Sequence, residues 1–441
     1  MKEIIACVLA ALLVLSLAAC ASESTTENTT STTTTAPKTT ATDPVTEPTV
    51  TEPPVTEPPV TEPPVTEPPV TEPPVTEPPA TEPPTTEPPA TEPPETKPPV
   101  DEPPATKPPV TKPEPDPLPP LEPVEGEVQI TMTFVGDCTF GRNHKAAYSN
   151  SFDECYDNYG VDYFFANVIN IFENDDITVI NLEGPLTTSN DIQTKTWNHK
   201  GRPEYVNIMT ESSIEVAGFA NNHRLDYGQS GSDETVKVME EAGVTYCYDD
   251  NYAIYEVKGV RVGIVSVNAL QGSKVEKWLR EGHDYLREQG CAIVVASIHW
   301  GDDKATSTNS YQRDLGPRAI DMGYDFIFGH HSHVLQAVQE YKGKFICYSL
   351  GNFCYGGSKN PADKDSAIFQ QTFTVVDGVL TDKVDAKLIP CYLSSVSSRN
   401  DYRPTLAVEE EFQRIIEKIN KYSKRFDFAL DSEGRPIMDE E

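Results

Sequence analysis

The sequence predicts an α/β domain of two packed mixed sheets with helices outside, carried behind a long proline-rich segment that cannot fold. Three observations carry this expectation. In the C-terminal part of the chain, short apolar runs ending in polar or glycine residues alternate with amphipathic stretches of helical spacing. A longer run of β-formers there, Ala367 to Val376, stops at Asp377-Gly378, a hairpin signal. Upstream, the chain from Thr46 to about Pro115 repeats Thr-Glu-Pro-Pro-Val or close variants and has almost no apolar surface to bury.

From the N-terminus, Met1 to Ala19 reads as an export signal: one early Lys, an apolar run from Ile4 to Ala19, and small residues at Ala18 and Ala19. The run is short for a spanning helix. Leu17-Ala18-Ala19-Cys20 resembles a bacterial lipobox, which predicts cleavage before Cys20 and a lipid on its sulfur, anchoring the protein to the membrane rather than through it. A secreted protein with an incidental cysteine is the alternative. Residues 20–126 then form the predicted stalk. Paired prolines fix φ and remove donors, so the repeat favours a solvated polyproline II rod. Its roughly 70 residues could reach on the order of 200 Å at about 3.1 Å each, enough to hold a domain beyond a membrane and into or through a cell wall. A proline-rich ligand for a partner is the other reading, and the regular acidic spacing favours a spacer.

Residues 127–441 are the folded part. Strand candidates are Ile130 to Val135, Ile177 to Ile180, Val216 to Ala220, Cys291 to Ile298, Tyr324 to Phe328, Phe345 to Leu350 and Ala367 to Val376. Helix candidates between and after them are Tyr163 to Glu173, Pro203 to Glu215, Asp233 to Ala242, Lys274 to Glu288, Tyr311 to Met322 and Phe412 to Phe428, with the last dozen residues expected to fray.

The chemistry collects where those strands end. Phe328-Gly329-His330-His331-Ser332-His333 sets three imidazoles within four residues directly after an apolar run, and a His-x-His pair leaving a strand can aim two ring nitrogens at one point. A surface histidine cluster is the plain alternative. Other ligand types close other strands: Gly136-Asp137, Asn181-Leu182-Glu183-Gly184, Asn221-Asn222-His223 and His299-Trp300-Gly301. In open α/β sheets such groups converge at the strand ends. Asp137, Glu183, Asn222, His223, His299, His331 and His333 therefore form one predicted constellation for one or two divalent metal ions, with manganese, zinc or iron all compatible with these donors.

The formal net charge is −34, about half of it in the stalk, which argues against nucleic-acid binding. Of nine cysteines, Cys7 goes with the signal and Cys20 is the predicted anchor, so seven remain in the domain, an odd number. Cys291 and Cys347 read as small buried hydrophobes, and no dense disulfide framework is expected. Cys138, beside Asp137, is the thiol placed to touch the site.

Gly136-Asp137 with Gly141-Arg142, Asn181-Leu-Glu-Gly-Pro-Leu186, Ala220-Asn-Asn-His-Arg-Leu-Asp-Tyr-Gly228, Ile298-His-Trp-Gly301, Gly329-His-His-Ser-His-Val334 and Tyr348-Ser-Leu-Gly-Asn-Phe353 together resemble the bacterial capsule-synthesis CapA family of poly-γ-glutamate capsule proteins. The resemblance runs from about Ile130 to Tyr355. It implies a calcineurin-like metallophosphatase fold, a four-layer sandwich of two sheets flanked by helices, and a role in poly-γ-glutamate or related envelope polymer biosynthesis beside the proteins of a capsule synthesis or export complex. By the same resemblance Asp137 binds one metal and Glu183 bridges where an Asp usually stands. Asn222 gives an amide oxygen, and His299, His331 and His333 complete the set. His223 protonates a leaving atom, while Asp226 orients its imidazole and raises its pKa. The implied chemistry is a metal-polarised substrate and a water of lowered pKa attacking phosphorus or a carbonyl carbon.

Two departures shape the expectation. The first motif of those phosphatases is Asp-x-His, whereas Asp137-Cys138-Thr139 has no histidine, leaving His144 or Cys138 as substitutes or one metal alone. The bridging acid is also longer by one methylene. An amide of a γ-linked glutamyl chain is thus as good a target as a phosphate ester. Arg142, Lys200, Arg202 and Arg224 lie near the motifs and suit polymer carboxylates, Arg142 foremost, although local salt bridges explain each equally well. Asn352 and Trp300 are candidates to line the pocket, Trp300 equally a core residue. His199 and His283 receive no role. Two functions remain open: a metal-dependent hydrolase or transferase acting on the polymer, and a noncatalytic surface component that binds or guides it.

Overall fold

The computed structural model describes residues 118–119, 121–122, 124–145, 147–270 and 272–438. The expected signal, Cys20 and the proline-rich repeat lie outside the described residues. In chain order the strands are β1 (Glu127–Thr139), β2 (Arg142–Asn143), β3 (Ile177–Leu182), β4 (His199–Lys200), β5 (Val216–Gly218), β6 (Thr245–Cys247), β7 (Ala253–Val257), β8 (Val260–Asn268), β9 (Cys291–His299), β10 (Phe326–His330), β11 (Val338–Tyr341), β12 (Lys344–Cys347), β13 (Asn352–Tyr355), β14 (Asp365–Val376), β15 (Val379–Leu380), β16 (Ala386–Tyr392) and β17 (Thr405–Leu406). One sheet has the order β17-β16-β14-β1-β3-β5-β6, with β13 added beside β1 and β15 beside β14. The second has the order β11-β12-β10-β9-β8-β7, and β2 pairs with β4 in a small ribbon.

The helices are α1 (Phe152–Tyr159), α2 (Ile169–Phe172), α3 (Asn207–Thr210), α4 (Gly228–Ala242), α5 (Val275–Glu288), α6 (Ser310–Asp321) and α7 (Glu409–Ser423). Three apolar clusters show how the layers stack. Ile130, Met132, Phe134, Ile177 and Val179 of the first sheet meet Val262, Ile264, Val295, Phe326 and Phe328 of the second. The Phe134 ring sits 4.3 Å from Phe326 and 4.9 Å from Phe328 between centroids. Each such ring is worth roughly 1.5–3 kcal/mol by burial alone. The outer face of the first sheet packs Ile180, Leu182 and Ala217 against Phe164, Phe165 and Met239. The outer face of the second packs Val265, Val294 and Ile327 against Leu279, Leu286 and Leu315. The result is the predicted sandwich of two sheets with helices on both outer faces.

Covered on both sides, the central strands read as unbroken apolar runs. β1, β3, β5 and β6 are parallel, and so are β8, β9, β10 and β12. Their C-terminal ends therefore open on shared rims, where loops carry polar residues. No helix among the described residues is long and apolar enough to cross a membrane.

Several expectations about elements change. Tyr163 to Glu173 and Pro203 to Glu215 each break into a 3₁₀ turn and a single turn of α-helix. Val168 leaves the helical region at φ −131°, and Ser213 turns the chain at φ +50°. β7 and β8, absent from the strand candidates, form a hairpin through Lys258 and Gly259, both at positive φ. The residues just before 127 are not all stalk: Leu118 N donates to Gln289 Oε1, Arg261 donates to Pro119 O, and Val124 packs on the core. Nor does the C-terminal tail fray within the described residues, since Leu388 N donates to Gly434 O and Leu430 is buried.

Candidate metal centre

Two glycines allow the strand ends to close on one another. A Cβ at Gly136 would fall 2.1 Å from Gly351 O, so only glycine lets β1 approach the turn before β13. Asp137 N then donates to Gly351 O at 2.9 Å, and Asp137 comes level with Asn181 of β3 and Asn352 of β13. At Gly329 a Cβ would meet Trp300 Nε1 and Tyr348 O, both at 2.2 Å. Beyond it the chain turns sharply, with His331 at φ +89° and His333 at φ +58°. Non-glycine residues rarely hold such angles, and the strain is sustained here by the packing of the rim.

Glu183 is the centre of the arrangement. It is fully buried, and neither carboxylate oxygen has a hydrogen-bond partner. Its Oε1 lies 3.6 Å from His333 Nε2, 3.8 Å from His299 Nε2 and 3.9 Å from His223 Nε2. Two donor triads share it: Asp137, Glu183 and His333 on one side, and Glu183, His299 and His331 on the other, each with donor atoms within 4.8 Å of one another. Asn222 Oδ1 lies 2.9 Å from His299 Nε2 and adds an oxygen to the second group. A buried carboxylate with no donor, among imidazoles that also leave ring nitrogens unpartnered at His299, His330 and His331, is costly unless a cation completes it. Oxygen and imidazole donors in this mixture suit borderline divalent metals.

The electrostatics agree with that shape. Burial pushes Glu183 well above the usual carboxylate range, and Asp137 raises it further against the pull of His333. Burial would also raise Asp137, but the close approach of His330 and His333 outweighs it and holds this acid well below its ordinary value. His333 Nδ1 lies 3.2 Å from Asp137 Oδ2, and His330 Nδ1 lies 3.2 Å from Oδ1. Burial would lower His333, yet Glu183 and Asp137 lift it to about 10. His331 falls to about 4 and His299 well below the ordinary histidine value, both chiefly through burial with neighbouring imidazoles adding to it.

Beside the triads stands a dyad. His223 Nδ1 is 2.7 Å from Asp226 Oδ2, and its Nε2 faces Glu183. Asp226 is held in turn by the Lys195 ammonium and by His199 N at 2.6 Å. Burial lowers the His223 pKa by more than Asp226 raises it, so the upward pull expected of Asp226 is present but His223 ends below its usual value.

Asp137, Glu183, Asn222, His223, Asp226, His299, His331 and His333 thus come together. Other expected residues do not join them. Asn352 is buried and spends its amide on one partner, with Oδ1 2.9 Å from His333 Nδ1 and Nδ2 donating to His333 O, so it positions that imidazole instead of facing substrate. Cys138 packs in the outer cluster with Val135 and Leu182, and His144 is exposed, so neither replaces the missing motif histidine. All seven described cysteines are unpaired and buried. Arg142 pairs with Asp153 at 2.6 Å on the wall of a pocket of about 420 Å³ shared with Lys200, Arg202 and Tyr227. Arg202 and Arg224 also have acids, Asp157 and Asp249. Trp300 is core, its Nε1 donating to Tyr348 O.

Sequence reasoning missed four members. His330 was read in the triplet but left out of the set. Asn181 donates to Asp137 Oδ1 at 2.9 Å. Lys195 holds Asp226, and His199, given no role, lies 4.1 Å from His223 between ring centroids with the rings tilted. Asn181 lay inside a motif already singled out, whereas Lys195 sits in a loop and His199 in the two-residue strand β4, too short to give a periodic signal.

The bacterial capsule synthesis protein PGA_cap family matches residues 131–356. "Capsule biosynthesis protein CapA" of Bacillus anthracis is 32% identical over 269 residues, 55% of this chain and 63% of that protein. "PGA biosynthesis protein CapA" of Bacillus subtilis (strain 168) is 27% identical over 263 residues, 55% of this chain and 67% of its own. The chain thus spans less than two thirds of the first relative's length. Among solved structures, a purple acid phosphatase from yellow lupin seeds aligns at 9% identity and a TM-score of 0.30, covering 65% of this chain and 55% of that one. The matched stretch holds every donor of the two triads as well as the His223–Asp226 dyad, and the chain belongs to the bacterial capsule synthesis protein PGA_cap family.

Proposed function

We propose that this chain is a metal-dependent hydrolase or transferase acting on poly-γ-glutamate or a related anionic envelope polymer. In this reading a lipid on Cys20 anchors it to the outer face of the cell membrane, and the Thr-Glu-Pro-Pro repeat carries the domain into the wall. The names of the relatives support the polymer. The observation that carries the chemistry is Glu183, a buried carboxylate without hydrogen-bond donors that is shared by two donor triads.

Asp137, Glu183 and His333 would hold one divalent ion, and Glu183, Asn222, His299 and His331 a second. Such ions, when bound, supply Lewis acidity and a water of lowered pKa. The chain's own part is orientation and proton transfer. Asp226, fixed by Lys195, holds His223 at Nδ1, so that Nε2 points toward Glu183 and can pass a proton to the departing atom. Burial of the acids and imidazoles excludes bulk water and strengthens each of these interactions.

One observation favours a noncatalytic polymer-binding or export role. Thr139 stands where the motif has a ligating histidine and Cys138 beside it packs in the core, so the Asp137 side has three donors in its triad. The two readings part on His223→Ala, assayed in the metal-loaded chain against γ-glutamyl polymer and a generic phosphodiester. The catalytic reading expects turnover to fall by about 10²- to 10⁴-fold at unchanged metal content. Unchanged turnover removes His223 from the chemistry, and tight metal binding by the parent chain without turnover of either substrate favours the noncatalytic role.

A further inference from the structure

A second concave site lies away from the triads. A pocket of about 460 Å³ is lined by Thr308 of the loop after β9, by Ala337 just before β11, and by Lys421, Lys424 and Arg425 at the C-terminal end of α7 and the turn beyond it. The formal charge of the chain is −34, and most of its described cations have acids beside them. None of these three has a carboxylate partner among the described residues. No acid lines the pocket, so its wall is a local +3 in an acidic protein. Thr308 supplies an independent sign. It is 5% exposed, and its hydroxyl has no hydrogen-bond partner. A buried hydroxyl without a partner, on a residue that lines the same pocket as three cations, is a donor left to be satisfied.

Basic residues at a helix C-terminus also complement its dipole, which accounts for Lys421 in the last turn of α7. That effect explains neither the concavity nor the orphan hydroxyl. The wall is also tied to the metal-bearing rim. Lys304 N, in the same loop as Thr308, donates to Ser332 O at 2.8 Å, between His331 and His333. Gln336 Nε2 donates to Ala305 O at 2.7 Å.

We infer that this pocket is an oxyanion subsite in which Lys421, Lys424, Arg425 and the Thr308 hydroxyl seat a carboxylate or phosphate group of an acidic chain, at a distance from the group that reaches the metal centre. The inference extends the polymer half of the proposed function, and equilibrium binding tests it apart from turnover. The probes are a γ-linked octaglutamate and inorganic phosphate, titrated into the full chain by calorimetry at low and high salt. At least one probe is expected to bind, more weakly as salt rises. K421Q/K424Q/R425Q should weaken that binding by about tenfold or more, and T308V, which leaves the charge unchanged, by a few-fold. Thermal unfolding and metal content should stay at parent values in both variants. Loss confined to octaglutamate identifies a polymer carboxylate as occupant, and loss confined to phosphate identifies a phosphate group. Failure of the parent chain to bind either probe, or equal binding by the triple variant, overturns the subsite.

Discussion

His333 can offer Nε2 to the centre because Asn352 holds its other ring nitrogen. The Asn352 amide donates to His333 O, which turns its oxygen toward Nδ1 and makes that nitrogen the proton carrier. With the His333 pKa lifted to about 10 by Glu183 and Asp137 against burial, the imidazole is protonated at neutral pH, and a cation must displace the Nε2 proton. Metal affinity should therefore rise with pH through the neutral range and fall toward acid. Asn352→Ala removes the support without touching a donor. Chelator competition should show affinity lower by about 10- to 100-fold. Affinity within twofold of the parent would mean that the ring is positioned by other contacts. The sequence showed the donors at this scale, since Asp, Glu, Asn and His stood at the ends of apolar runs. It did not show their supports: Asn352 looked like a substrate contact, Lys195 lies in an irregular loop, and His199 lies in a strand of two residues that no pattern marks.

The ends of β3 and β5 away from the donors carry a different electrostatic feature. Thr178 N donates to Glu215 Oε2 at 2.7 Å, and Thr178 Oγ1 donates to Asp175 Oδ2 at 2.8 Å. Burial pushes both acids up to about 7, against the hydrogen bonds that pull them down. Because their folded values exceed those of the unfolded chain, the stability they contribute is complete below the ordinary carboxylate range and is lost as pH rises through 7. D175N/E215Q keeps a neutral acceptor at each place. Its melting temperature should decline less than the parent's between pH 5 and pH 8, and parallel declines would contradict the assignment. The long, doubly covered strands were legible as apolar runs. The β7–β8 hairpin was not, because Lys258-Gly259 reaches the positive-φ turn without the Asn-Gly or Asp-Gly pair that usually announces it. The two short helical segments failed for a tertiary reason, since aromatic residues such as Phe164, Phe165 and Tyr205 hold the chain in place where its own periodicity does not.

At the scale of the molecule, two mixed layers, each with a parallel run of strands, bring those strand ends to one rim, so residues from 137 to 352 meet although the chain separates them widely. Parallel pairing made this convergence readable, because each strand end that carried a ligand type had to open near the others. Layer order was not readable from local patterns; it follows from which faces of β1, β3, β8 and β9 are apolar together. The account rests on Glu183 as the acid common to two cation sites. Its most direct test is metal content per chain, measured by elemental analysis after loading with manganese, zinc or iron and removal of excess ion. The parent chain is expected to retain two ions, His333→Ala one, and Glu183→Ala none at the same stringency, with all three folded. A parent chain that retains no metal, or a Glu183→Ala variant that retains both ions, would contradict it.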